Sequence, residues 1–282
     1  MRNPTARTSR RTSTYPRTVA LLLSALALLT AGLAPAHSIP ESHAPAAKPT
    51  VVLVHGSWAD AASWTRVITT LHSDGYKVRA LPNPLRSLSG DAASVRAFLD
   101  TIPGPVVLVG HSYGGAVITN AATGAPNVEA LVYINAFQPD AGESVVQLAG
   151  PDSALSADPT TIFDFVPATL PPTPDTEVYL KRSTVFASFA TGLDGTDKSI
   201  VHATQRPATL AALNEPSAEP AWATIPSWSL IGTQDVIIPA SVQRTMAERA
   251  GSKVTEYNAG HVGLMTNPGA VARIIERAAA AS

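Results

Sequence analysis

The chain has 282 residues, 45% hydrophobic and 15% charged, with a formal net charge of −1 and no cysteine. That length and apolar content suffice to bury one full core. The near-neutral balance, with no Lys/Arg cluster beyond position 36, leaves no electrostatic footprint for nucleic acid, and the absence of cysteine excludes disulfides and thiolate-held metals.

In chain order, residues 1–18 carry Arg2, Arg7, Arg10, Arg11 and Arg17 and no acid. An apolar run from Val19 to Leu33 and then Ala34-Pro35-Ala36 follow. A basic head, an apolar stretch and a small-residue cleavage site describe a secretory signal over 1–36. The run is short for a membrane span, so the expectation is an exported, extracellular protein without a stable membrane anchor. Residues 37–48, rich in Ala, Pro and Ser, read as a linker, and 49–282 as the folded domain.

Val51 to Val54 is a continuous apolar run, the pattern of a strand buried on both faces. Trp64, Val67, Ile68 and Leu71 recur at helical spacing within 60–73. Strands are expected at 76–81, 105–109 and 128–134, and helices at 91–99 and 113–122. From 139 to 225 the alternation lapses into a Pro-rich stretch, read as an inserted helical cap with helices near 175–190 and 207–213. A strand at 227–231, a helix at 240–250, a strand at 253–257 and a helix at 269–280 resume the rhythm. Alternating strands and helices imply an α/β fold: a mostly parallel central sheet with helices on both faces.

The sharpest motif is Gly110-His111-Ser112-Tyr113-Gly114 between the third strand and its helix. G-x-S-x-G in a strand–turn–helix context describes a nucleophile elbow, with Ser112 as the nucleophile. A serine hydroxyl needs a base and a group to orient that base. His261 lies in a small-residue loop after the last strand, where an imidazole could reach Ser112. His37, His43, His55, His72, His111 and His202 occupy less suitable places. Asp235 follows the preceding strand, and the order Ser112, Asp235, His261 is the one this elbow uses. Asp140 and Glu143 are the rival acids. Backbone N–H groups of Tyr113 and of Ser57, with Trp58 as second choice, are expected to form the oxyanion hole. Trp58 is also expected to line the substrate site. No H-E-x-x-H or phosphate loop is present, so no metal or other cofactor is expected.

The chain resembles the α/β-hydrolase superfamily over residues 50–280. The resemblance rests on Val-Leu-Val-His-Gly at 52–56, Gly-His-Ser-Tyr-Gly-Gly at 110–115, Gly-Thr-Gln-Asp at 232–235 and Gly-His-Val at 260–262. It is similar to the branch of small serine esterases and hydroxynitrile lyases, through Val54 to Trp58, Trp64, Gln205-Arg206-Pro207 and Pro226-Ser227-Trp228. Plant lyases of that branch carry Thr after the first-strand His and Lys after the catalytic His. Gly56 and Val262 stand there instead. The resemblance therefore implies ester hydrolysis through an acyl-enzyme, and with no obvious ion-pair partner for a charged substrate in the sequence the expected substrate is a small or medium neutral ester. Lyase, perhydrolase or amidase chemistry on the same residues is the alternative.

Overall fold

The computed structural model describes residues 47–282. The expected signal and most of the linker lie outside the described residues. Nine strands occur among the described residues: β1 (Thr50–Val54), β2 (Val78–Leu81), β3 (Val106–Ser112), β4 (Val128–Ala136), β5 (Phe163–Val166), β6 (Glu177–Leu180), β7 (Ala208–Thr209), β8 (Ser227–Gly232) and β9 (Lys253–Tyr257). Six form one sheet in the order β2-β1-β3-β4-β8-β9. Every pairing in it is parallel. The central strands β1, β3 and β4 are almost wholly buried, as their unbroken apolar runs require.

Helices α1 (Thr65–Ser73), α2 (Leu88–Leu99) and α3 (Tyr113–Ala121) connect the first four strands. The path steps from β1 outward to β2, then back across β1 to β3. Right-handed crossovers therefore put α1 and α2 on opposite faces. Helix α1 packs on the terminal helix Pro268–Ala279, and α2 packs on α3. The reversal makes the carboxyl ends of β1 and β3 a topological switch point, where a crevice opens. The loop after β1 and the turn after β3 therefore face one another.

Element ends differ from the sequence reading for local reasons. Helix α2 starts at Leu88, because Ser87 caps it by accepting from the Gly90 N–H. Strand β2 starts late because the Tyr76 N–H closes the end of α1 on the Leu71 carbonyl. Strand β3 runs on through Gly110 and His111 to Ser112, pairing with β4 throughout.

The larger difference lies between β4 and β8. The helix expected near 175–190 forms only in its second half, as Arg182–Thr184 and Val185–Phe189. Glu177–Leu180 is instead the middle strand of a three-stranded antiparallel sheet, β5-β6-β7. Val178 and Leu180 are fully buried, so the apolar period there is two and not 3.6. Near 207–213, Ala208 and Thr209 form β7, and Thr209 then caps the short helix Leu210–Asn214. A helix at Gly195–Thr204, capped by Asp194, was not expected. The insert is a mixed sheet-and-helix cover.

Candidate active site

Ser112 closes β3 and precedes α3 with φ 54 and ψ −125. A non-glycine residue at positive φ is strained, and here the strain lifts the side chain off the sheet edge. The turn closes only because its flanks are bare. A Cβ on Gly110 would sit 2.5 Å from the Gly114 carbonyl oxygen. Gly56, on the loop after β1, has the same tightness toward the elbow. A Cβ there would fall 2.6 Å from the Ser112 Cβ and 2.9 Å from the His111 carbonyl oxygen. Real side chains do not approach that closely, so the sequence at 56 is dictated by the nucleophile turn.

Ser112, His261 and Asp235 come together. The His261 Nε2 lies 3.0 Å from the Ser112 Oγ, and its Nδ1 lies 3.0 Å from the Asp235 Oδ2. All three are buried. Asp235 is held as an anion by a dense donor set. Oδ1 accepts from the Ile237 N–H at 2.9 Å and the Ile238 N–H at 3.0 Å. Oδ2 accepts from Asn135 Nδ2 and Gln243 Nε2, each at 3.0 Å, besides His261. Burial pushes this carboxyl up, but His261 and the other donors outweigh it and hold it below the usual carboxylate range. The Asp235 carboxylate therefore fixes Nδ1 of His261 as a donor and leaves Nε2 to accept the serine proton. The rival acids lie elsewhere: Glu143 is bound bidentately by Arg249 at 2.6 and 2.7 Å, and Asp140 caps the adjacent turn.

The β1 loop is pinned from both sides. His55 Nδ1 donates to the Gly56 carbonyl at 2.9 Å, and its Nε2 accepts from the Asn83 N–H at 2.9 Å. Burial drives its pKa down to about 4, so the ring is a neutral strut. His111 is likewise structural. Its Nε2 donates to the His261 carbonyl at 3.0 Å, and burial together with the nearby His261 lowers its pKa to about 3. The Trp58 N–H donates to the Arg206 carbonyl at 3.1 Å. That bond commits the Trp58 N–H elsewhere, while Ser57 lines the same cavity as Ser112. Tyr113 is the first residue of α3, where backbone N–H groups have no intrahelical acceptor. Its hydroxyl donates to the Asp91 Oδ2 at 2.8 Å, tying the elbow to α2.

A cavity of about 400 Å³ opens beside Ser112, Ser57 and Tyr113. Phe137, Leu155, Phe163, Phe165, Leu210 and Leu213 supply most of its wall, and no charged side chain lines it. Trp58 joins the insert to the sheet edge. It stacks on Phe163 at 5.6 Å and donates Nε1–H to the Val178 carbonyl at 2.9 Å. Trp58 itself sits at φ 59, a strain these contacts hold in place. Asn135, Gln243, Tyr257 and Asp91 were not singled out from the sequence. A lone amide, Asn135, next to the carboxyl end of the buried strand β4 was the available signal.

A parallel sheet with a serine elbow at its switch point, followed in order by a loop Asp and a loop His, defines the hydrolase fold of the α/β class. The chain belongs to the alpha/beta hydrolase family, whose model matches residues 51–274. It is 34% identical over 110 residues to the carbendazim hydrolyzing esterase of Nocardioides sp. (strain SG-4G), covering 34% of this chain. That match spans 46% of the relative, about half its length. It is 26% identical over 253 residues to the alpha/beta hydrolase nvfD of Aspergillus novofumigatus, covering 82% of this chain and 97% of that one. A solved extracellular alpha/beta-hydrolase from Paenibacillus species superposes with a TM-score of 0.70 at 22% identity, over 82% of this chain and 98% of that chain. At that identity the likeness shows the fold alone. Esterases and a hydroxynitrile lyase stand among the relatives, the branch that the motifs resemble.

Proposed function

We propose that this protein is an exported serine hydrolase that cleaves neutral carboxylic esters through an acyl-enzyme. The unbroken chain of hydrogen bonds from Ser112 through His261 to Asp235, 3.0 Å at each step, is the observation that carries the reading. Ser112 Oγ attacks the ester carbonyl while His261 Nε2 takes its proton. The oxyanion is met by the N–H groups of Tyr113 and Ser57, with the positive end of α3 behind it. His261 returns the proton to the departing alcohol. Water, activated by the same nitrogen, then releases the acid and restores Ser112.

The uncharged apolar cavity supports a neutral substrate, since a charged group would lose hydration there without a partner. Two positions speak against a lyase. A Thr at 56 has no room, because even its Cβ would collide with Ser112. Position 262 is a buried Val, which offers no ammonium to stabilise a leaving cyanide. Export is supported by the basic head and apolar run of residues 1–36.

The test is a chain-length panel of p-nitrophenyl esters with wild type and Ser112→Ala, beside labelling by a fluorophosphonate. Wild type should hydrolyse and take the label. Ser112→Ala, still folded, should do neither, with turnover down by roughly 10⁴-fold or more. Undiminished hydrolysis in that variant would refute the reading.

A further inference from the structure

We propose that Asn135 and Tyr257 form a positioning unit that holds the acid loop and the histidine loop in one register. The proposal rests on reading Ser112, His261 and Asp235 as the catalytic set. Asp235 follows β8 and His261 follows β9, and the backbone joins the two loops upstream of the reacting groups, where the Gln234 N–H donates to the Ala259 carbonyl at 3.0 Å. Asn135 reaches both from a third strand, β4. Its Nδ2 donates to the Asp235 Oδ2 at 3.0 Å and to the Gly260 carbonyl at 3.3 Å. Gly260 is the residue immediately before His261. One amide group thus spans the two loops that must agree.

The amide has to face the right way. Turned over, it would present its oxygen to the Asp235 carboxylate and repel it. Tyr257 sets the orientation, because its hydroxyl donates to the Asn135 Oδ1 at 2.5 Å. Burial and the Asp235 charge both raise the Tyr257 pKa, so this hydroxyl stays a donor across the working pH range. The ring is fixed as well: a Cβ on Gly263 would come within 2.6 Å of the Tyr257 Cζ. Asn135 adopts φ 45, a left-handed conformation that Asn tolerates better than most residues, and it is fully buried. Tyr257 is half-buried, and neither residue contacts Ser112 by a hydrogen bond. Both act through Asp235 and His261.

The unit also sets how strongly Asp235 favours imidazolium. Each donor on Oδ2 spreads the carboxylate charge, and removing one leaves more of it to stabilise a protonated His261. Among the described residues, the titratable groups facing this network are Asp235, His261, Tyr257 and His111, whose ring lies 4.8 Å from that of His261. His111 stays neutral down to about pH 3 and does not titrate in the range measured.

The test uses the full chain with Tyr257→Phe, which keeps the ring and removes only the hydroxyl, and with Asn135→Asp, which keeps the shape but replaces the donor with a second carboxyl beside Asp235. For p-nitrophenyl acetate, Tyr257→Phe should lower kcat about 3- to 10-fold, the worth of one hydrogen bond, with KM unchanged. The acid limb of its kcat/KM profile should move to higher pH. Asn135→Asp should lose more. Fluorophosphonate titration counts intact sites, so rates are compared per active site. A purely structural role would lower the count and the melting temperature while leaving the per-site rate and the acid limb at wild-type values. That result, with an active wild type, overturns this proposal alone. A wild type that neither turns over ester nor takes the label overturns the reading of Ser112, and this proposal with it.

Discussion

Lowering the pH from 7 to 5 should destabilise the fold through two buried neutral histidines. His55 and His111 are fully buried, with pKa values lowered from 6.5 to about 4 and about 3. The geometry gives the reason beyond burial. A second proton on His55 would sit on Nε2, against the Asn83 N–H that it now accepts. His111 already donates through Nε2 to the His261 carbonyl, and its Nδ1 has no acceptor among the described residues. For groups whose folded pKa is depressed, the unfolded chain binds the proton first. Their stability is whole above pH 6.5 and drains as pH falls toward the folded values. At pH 5 each histidine has lost about 2 kcal/mol, from about 1.4 kcal/mol per pH unit over the window crossed. The pair together loses about 4 kcal/mol, or roughly 8–16 °C in melting temperature for a domain of this size. Asp235 does not confuse the window, because its pKa lies below 3.8 and its contribution is lost only at lower pH. Asp91, raised by burial, has the opposite sign and offsets part of the loss. The assay is therefore a difference: urea midpoints at pH 7 and pH 5 for wild type and His55→Gln. In that variant an amide oxygen can still accept from Asn83 but cannot be protonated. The variant should show about 2 kcal/mol less acid sensitivity than wild type. Equal sensitivity in the two proteins would refute the reasoning.

Two further outcomes follow from the same geometry. Gly56→Ala forces a methyl group into the Ser112 turn, so kcat/KM for p-nitrophenyl esters should fall by about 100-fold, as for a displacement near 1 Å at the reacting atoms. A variant as active as wild type would show that the turn can open. Ala149 is buried in the wall of the cavity beside Ser112, so Ala149→Phe should shorten the longest chain hydrolysed while leaving acetate turnover within a few-fold. An unchanged chain-length profile would place the substrate's apolar part elsewhere.

Much of this was legible in the sequence because it depended on local chemistry. Short apolar runs rich in β-branched residues, such as Val51 to Val54, match the pattern of strands buried on both faces. Gly110, Ser112 and Gly114 mark a turn that tolerates no side chains beside the serine, and the order Ser112, Asp235, His261 follows chain topology. The insert read less well. Val178 and Leu180 alternate over too short a span to separate a strand from a helix. Its three strands pair with one another, close over Trp58 and are tied to the loop before α2 through Thr209, contacts between segments distant along the chain.

What the tertiary structure alone decided concerns partners distant in sequence. Nothing near position 135 says that its amide meets Asp235, 100 residues on, or that Tyr257 orients it. The sequence offered both Ser57 and Trp58 as oxyanion donors, and the bond from the Trp58 N–H to the Arg206 carbonyl separates them. Spacing and side-chain type specify the strands, the elbow and the reacting groups, because those follow from neighbours along the chain. Which groups hold the reacting atoms in place depends on which loops meet at the sheet edge, and only the packed fold sets that.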